Sequence, residues 1–258
     1  MNFLNNLEHK IFKKKSIITV IGLGYVGLPV AYSFSQKYKV FGYDINKTRI
    51  TELKKYYDRN NSVPRKDLNK KTITFENNTN KIKNTDIFII TTPTPINKKN
   101  KPNLEYIIKA LKIAIKVGIK NKLIILESTV FPGASYDNCI KYIENNTHYF
   151  LNKDFAFGYS PERINPGDKK NNFKNIAKIV SGSNIRTSEI VYRLYKSVVK
   201  KVFKASSIKL AETAKLIENT QRDLNIAFIN EIAIACYKMN LSFSEVYKLA
   251  STKWNFIN

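Results

Sequence analysis

Cysteine, acidic residues and long apolar runs are all scarce in this chain, and each shortage excludes a class of protein. The two cysteines, Cys139 and Cys236, lie far apart in helical patterns. That excludes a disulfide framework and a cysteine-ligated metal site, so no metal is expected and both thiols are read as reduced and buried. Only one stretch, residues 16–34 behind Lys13, Lys14 and Lys15, is apolar enough to resemble a membrane span or an export signal. Three glycines and Pro29 inside it argue against both. The cytoplasm is therefore the expected location, with no membrane partner. Acidic residues number 20 against 44 Lys plus Arg, for a net charge of +24. Such a surplus fits a polyanion partner, but here it is mostly Lys, spread along the whole chain and accompanied by heavy Asn, Ile, Tyr and Phe usage. A- and T-rich codons account for that pattern, so specific nucleic-acid binding is not expected.

What is present is organised around residues 17–44. An apolar run, IITVI, is followed by GLGYVG, an apolar helical segment and KVFGYD. Gly22, Gly24 and Gly27 stand at the G-x-G-x-x-G spacing between a strand and a helix expected to start near Tyr25. In that context the first glycine permits a tight turn, the second lets backbone approach a pyrophosphate, and the third lets helix and strand pack closely. The phosphates then sit on the helix N-terminus. Asp44 closes the second strand, 22 residues beyond Gly22, where a carboxylate reaches an adenosine ribose. An acid there favours NAD over NADP because it repels a 2′-phosphate, and Arg49 tempers that preference.

The rest of the chain alternates strands and helices. Residues 1–15 read as a frayed basic arm with a short helix. Helices are expected at 45–57, begun by Asn46, and at 103–118, 134–145 and 185–198. Strands are expected at 72–75, 86–91, 123–126, 155–159, 176–181 and 201–204. Together with the first unit this makes a doubly wound parallel sheet, a Rossmann-like α/β domain over residues 1–205. Ser206 or Ser207 then caps a helix without Gly or Pro to about Met239, roughly 45 Å at ~1.5 Å per residue. Residues 206–258 are read as this connecting helix and the start of a middle, dimerising domain, with IAFINEIAIACY buried against something substantial.

Polar clusters fall at strand ends and on the long helix: Thr92 and Thr94 in TTPTP, Thr129 in ESTVFPG, Glu162 and Arg163 in SPERINPG, and Lys215, Asn219 and Arg222. The last three, spaced i, i+4, i+7, share one helical stripe, which by itself would suit a solvated basic face. The motifs GLGYVGLP, TPTP, ESTVFPG, SPERINPG, AETAKLIENTQRDLNIAFINE and TKWNFIN, in this order, resemble the UDP-sugar dehydrogenase family, most of all the branch acting on UDP-N-acetylhexosamines for surface polysaccharides. The resemblance implies that Tyr25, Val26, Asp44, Arg49, Thr94 and Thr129 contact NAD, and that Arg163, Ile164, Lys215, Asn219 and Arg222 hold the UDP-sugar. It further implies a two-step, four-electron oxidation of the C6 alcohol to the uronic acid through a cysteine thiolate. Lys215 and Asn219 would attend the reacting centre, and Thr129 and Glu162 would position the hydrolytic water. The family's cysteine lies in a G-G-H-C motif beyond the TKWNF segment, so this chain is expected to stop before it and before the UDP-binding domain. A homodimer through the long helix is the expected assembly. A non-catalytic, NAD-binding remnant of such an enzyme is the alternative.

Overall fold

A computed structural model describes residues 3–69, 73–164 and 173–256. Thr72, the NPG end of the SPERINPG loop and the last two residues of TKWNFIN lie outside them. The chain divides into two compact units, Met1–Thr213 and Ala214–Asn258.

The first unit is an eight-stranded sheet covered on both faces. Its strands are β1 (Ile17–Ile21), β2 (Lys39–Tyr43), β3 (Ile73–Glu76), β4 (Ile87–Ile90), β5 (Lys122–Leu126), β6 (Phe155–Tyr159), β7 (Ala177–Gly182) and β8 (Lys201–Lys204), in the order β3-β2-β1-β4-β5-β6-β7-β8. Pairing is parallel except between β6 and β7, where Gly158 faces Gly182 in antiparallel register. An antiparallel neighbour needs no crossover helix, and none is found among the described residues joining β6 to β7. Central strands read as unbroken apolar runs because both faces are buried. In β4, Ile87 and Ile89 enter one core and Phe88 and Ile90 the other.

The helices follow the same logic. On one face lie α1 (Phe3–Phe12), α2 (Gly27–Ser35) and α7 (Ile185–Lys196), whose Leu7, Phe34 and Leu194 share a core. On the other lie α5 (Glu105–Val117) and α6 (Lys141–Asn146), contributing Leu111 and Ile143. Two short helices, α3 (Lys47–Lys54) and α4 (Arg65–Leu68), complete this unit. Asn46 caps α3 by accepting from Arg49 N at 3.1 Å, as the sequence predicts.

Three local expectations need correction. The amino-terminal arm is a docked helix, since Leu4, Leu7 and Ile11 are buried and Lys10 Nζ reaches Asp86 Oδ1 at 2.7 Å. Helix α2 begins at Gly27, after a turn over residues 24–26. The helix expected at 134–145 opens with a π-helical turn, Ser135–Ile140, before α6.

Helix α8 (Ile208–Lys238), 31 residues long, starts in the first unit and forms most of the second, with α9 (Phe243–Ala250). Its apolar second half is not buried as expected: Ile226, Phe228, Ile234 and Tyr237 are exposed, whereas Cys236 is buried. No helix among the described residues is long and apolar enough to cross a membrane.

Candidate functional site: a nucleotide turn and two tethered loops

The carboxyl ends of β1, β4, β5 and β6 lie side by side: Thr91 N donates to Ile21 O, Glu127 N to Ile90 O and Ser160 N to Leu126 O. The loops leaving these ends carry the glycine turn, the Thr-Pro-Thr-Pro run, Ser128–Thr129 and Ser160–Ile164. A ligand crevice at this edge is what an open α/β sheet provides.

Each glycine of the turn meets a different requirement. Gly22 adopts φ +96°, a conformation that favours glycine. A Cβ on Gly27 would lie 1.8 Å from Gly22 O and 2.5 Å from Thr91 Oγ1, so this position packs α2 onto the turn. A Cβ on Gly24 would meet nothing within 4 Å, which leaves that approach clear. Val26, ahead of α2, supplies no side-chain cap to the helix start, although Leu28 N in its first turn donates to Gly24 O at 3.2 Å. These features fit a dinucleotide pyrophosphate. Tyr25 is exposed beside it and Val26 half-buried.

Asp44 is half-buried at the end of β2. Its Oδ2 accepts from Leu23 N at 2.8 Å and its Oδ1 from Asn46 N at 2.8 Å, so the carboxylate is fixed at the edge of the turn. Arg49 is buried. Its Nε donates to Leu23 O at 2.8 Å, its Nη2 pairs with Asp58 Oδ1 at 2.7 Å, and Nη1 is buried without a partner.

The next two loops are tied to each other. Thr94 Oγ1 donates to Thr129 O at 2.7 Å and Ser128 Oγ to Thr92 O at 2.6 Å. The third is tied to the second, since Glu162 N donates to Glu127 O at 3.1 Å. Burial, and then the charge of Glu162, push the Tyr25 phenol above its ordinary pKa, which couples the loop electrostatically to the glycine turn. The Glu162 carboxylate also accepts from Ile164 N, and Arg163 Nη1 donates to Ala177 O at 2.8 Å.

Beneath these loops lies a charged cluster that the sequence reading missed. Lys178 Nζ, fully buried, contacts Glu127 Oε2 at 2.8 Å and the carbonyls of Ser160 (3.2 Å) and Pro161 (2.9 Å). Tyr195 OH donates to Glu127 Oε1 at 2.5 Å. One ion pair thus holds both the residue before Ser128–Thr129 and the two residues before Glu162. The signal available was Lys178 alone inside the apolar strand IAKIVSG, and Glu127 directly after an apolar one. A second missed residue is Glu212, fully buried, which accepts from Gly133 N (2.6 Å) and Ser135 N (2.9 Å) and so caps the π-helical turn.

In the second unit Lys215 is buried, Asn219 half-buried and Arg222 exposed, with Arg222 Nη2 donating to Asn219 Oδ1 at 3.0 Å. Thr129, Glu162, Arg163 and Ile164 belong to the first unit. No cluster of metal-ligating side chains occurs among the described residues.

The sheet, its order and the glycine turn define a Rossmann-type dinucleotide-binding dehydrogenase domain. Residues 16–199 match the NAD binding domain of the UDP-glucose/GDP-mannose dehydrogenase family and residues 209–258 its central domain. The chain belongs to that family, and its cofactor is NAD. Protein CapL of Staphylococcus aureus is 50% identical over 242 residues, covering 93% of this chain and 57% of that protein. The UDP-N-acetyl-D-glucosamine 6-dehydrogenase of Salmonella typhi is 44% identical over the same shares. The solved UDP-D-ManNAc dehydrogenase of Pyrococcus horikoshii superposes with a TM-score of 0.83 at 30% identity, over 93% of this chain and 58% of that one. The chain therefore spans somewhat more than half the length of these relatives.

Proposed function

We propose that the chain carries the NAD-binding and substrate-facing parts of a cytoplasmic UDP-N-acetylhexosamine 6-dehydrogenase, which oxidises the C6 alcohol to the uronic acid for polysaccharide precursors. The observation that supports this reading is that the glycine turn and the Ser-Pro-Glu-Arg loop leave the same sheet edge, where the ends of β1, β4, β5 and β6 lie side by side. NAD, when bound, supplies the hydride acceptor. Around it Asp44 takes the ribose hydroxyls, while Gly22, Gly24, Tyr25, Val26 and Gly27 form the phosphate turn. Arg49, Thr94 and Thr129 complete the cofactor side. Glu162 accepts a proton from the hydrolytic water, which Thr129 helps to position. Lys215 steadies developing oxyanion charge, an effect of about 3–4 kcal/mol for comparable donors, with Asn219 beside it. Arg163, Ile164 and Arg222 hold the nucleotide sugar, and two copies pair through α8.

The test of the cofactor assignment is a calorimetric titration with NAD and NADP. NAD binds more tightly, and Asp44→Ala narrows the gap by about 1.5–3 kcal/mol, the range for a hydrogen bond to a charged group. Tighter binding of NADP by the unmodified chain would overturn the reading.

A further inference from the structure

We propose that Asp58 sets the cofactor preference by neutralising Arg49, an inference that rests on reading residues 22–44 as the NAD site. Asp44 and Arg49 grip the same residue from its two sides: Leu23 N donates to Asp44 at 2.8 Å, and Arg49 Nε donates to Leu23 O at 2.8 Å. The guanidinium is thereby held on the carbonyl of the residue whose N–H binds the carboxylate read as the ribose ligand. A free cation in this place rewards a 2′-phosphate, as the arginines of NADP-binding Rossmann domains do.

Here the cation is not free. Asp58 Oδ1 lies 2.7 Å from Arg49 Nη2, with the two side chains 2% and 6% exposed. Asp58 is itself fixed from the opposite side, its Oδ2 accepting from Ser62 N, Ser62 Oγ and Val63 N at 2.7, 2.7 and 3.1 Å. Burial pushes its carboxyl pKa up, but the bonds from Ser62 and Arg49 outweigh this and hold it below the usual value. The pair is therefore a neutral unit at physiological pH, and of the two side chains that grip Leu23 only Asp44 keeps an uncancelled charge. Preference for NAD then depends on two carboxylates: Asp44 repels the phosphate, and Asp58 cancels the residue that would attract it.

The experiment measures NAD and NADP affinities by calorimetry for the unmodified chain, Asp58→Asn, Arg49→Gln and the double variant, each checked for folding by circular dichroism. Asp58→Asn keeps the shape and removes the neutralising charge, so NADP affinity relative to NAD should rise about tenfold, as for a charge acting on a phosphate at short range. Arg49→Gln leaves Asp58 unopposed and should shift the ratio about tenfold the other way. The double variant restores neutrality and should return the ratio to within about twofold of the parent. If Asp58→Asn does not fold, the other two variants decide. Failure of the unmodified chain to bind NAD overturns the site reading and this inference together. Binding of NAD with a ratio that ignores both single substitutions, or a double variant that loses NADP tenfold, overturns the inference alone.

Discussion

Cys139 shows at the scale of one residue how burial removes reactivity. It is fully buried, and desolvation first, then the nearby charge of Glu212, push its thiol pKa up to about 12 from an ordinary 9.0. Because the thiolate is the nucleophile, Cys139 in a Cys236→Ser background should not react with Ellman's reagent at about pH 8 until denaturant is added. Rapid native labelling would contradict this. The same shift has a thermodynamic sign. A group whose folded pKa lies above its unfolded one stabilises below the unfolded value, so this contribution is complete below pH 9.0 and is lost as pH rises toward 12. Tyr195, raised by burial and then by Glu127, acts in the same direction. The urea midpoint should therefore fall between about pH 8 and about pH 10.5. At this scale Asn46 was legible, because a cap acts on backbone within a few residues. Lys178 and Glu127 were not, because their partners lie 51 residues apart and nothing local announces the pairing.

Among the elements, the cluster of Glu127, Lys178 and Tyr195 joins the end of β5, β7 and α7 in the interior of the first unit. Taking one member from a buried ion pair leaves an uncompensated charge, so Lys178→Met should cost about 3–5 kcal/mol, read as a lower urea midpoint. Glu127→Gln combined with Lys178→Met should cost less than the two single losses added together. Equal and additive losses would show that the two side chains do not act as a pair. Most elements were readable because their periodicity is unambiguous: β1, β2, β6 and β8 have the predicted bounds. The docking of α1 was not readable, since the lysines that follow it make residues 1–15 read as one basic arm, while Leu4, Leu7 and Ile11 form a narrow buried stripe within it. The π-helical turn was also missed; its position follows from the Glu212 carboxylate, far along the chain, accepting from Gly133 N and Ser135 N.

For the whole molecule, the second unit exposes Leu224, Ile226, Phe228, Ile234, Tyr237, Leu249 and Trp254. Clustered apolar exposure marks an interaction surface, and sedimentation at tens of micromolar should show a dimer or larger species. A monomer across that range would refute self-association through this unit. The sheet raises a different matter, because an open sheet ends in edges whose backbone groups can template foreign strands. At one edge stands β8, a four-residue strand reading Lys-Val-Phe-Lys with both lysines and Phe203 exposed. Any strand added there would bring its own side chains alongside two ammonium groups, one of them, Lys204, held at 2.8 Å by Glu189. Short length and flanking lysines are features that discourage edge-to-edge pairing, and β8 has both.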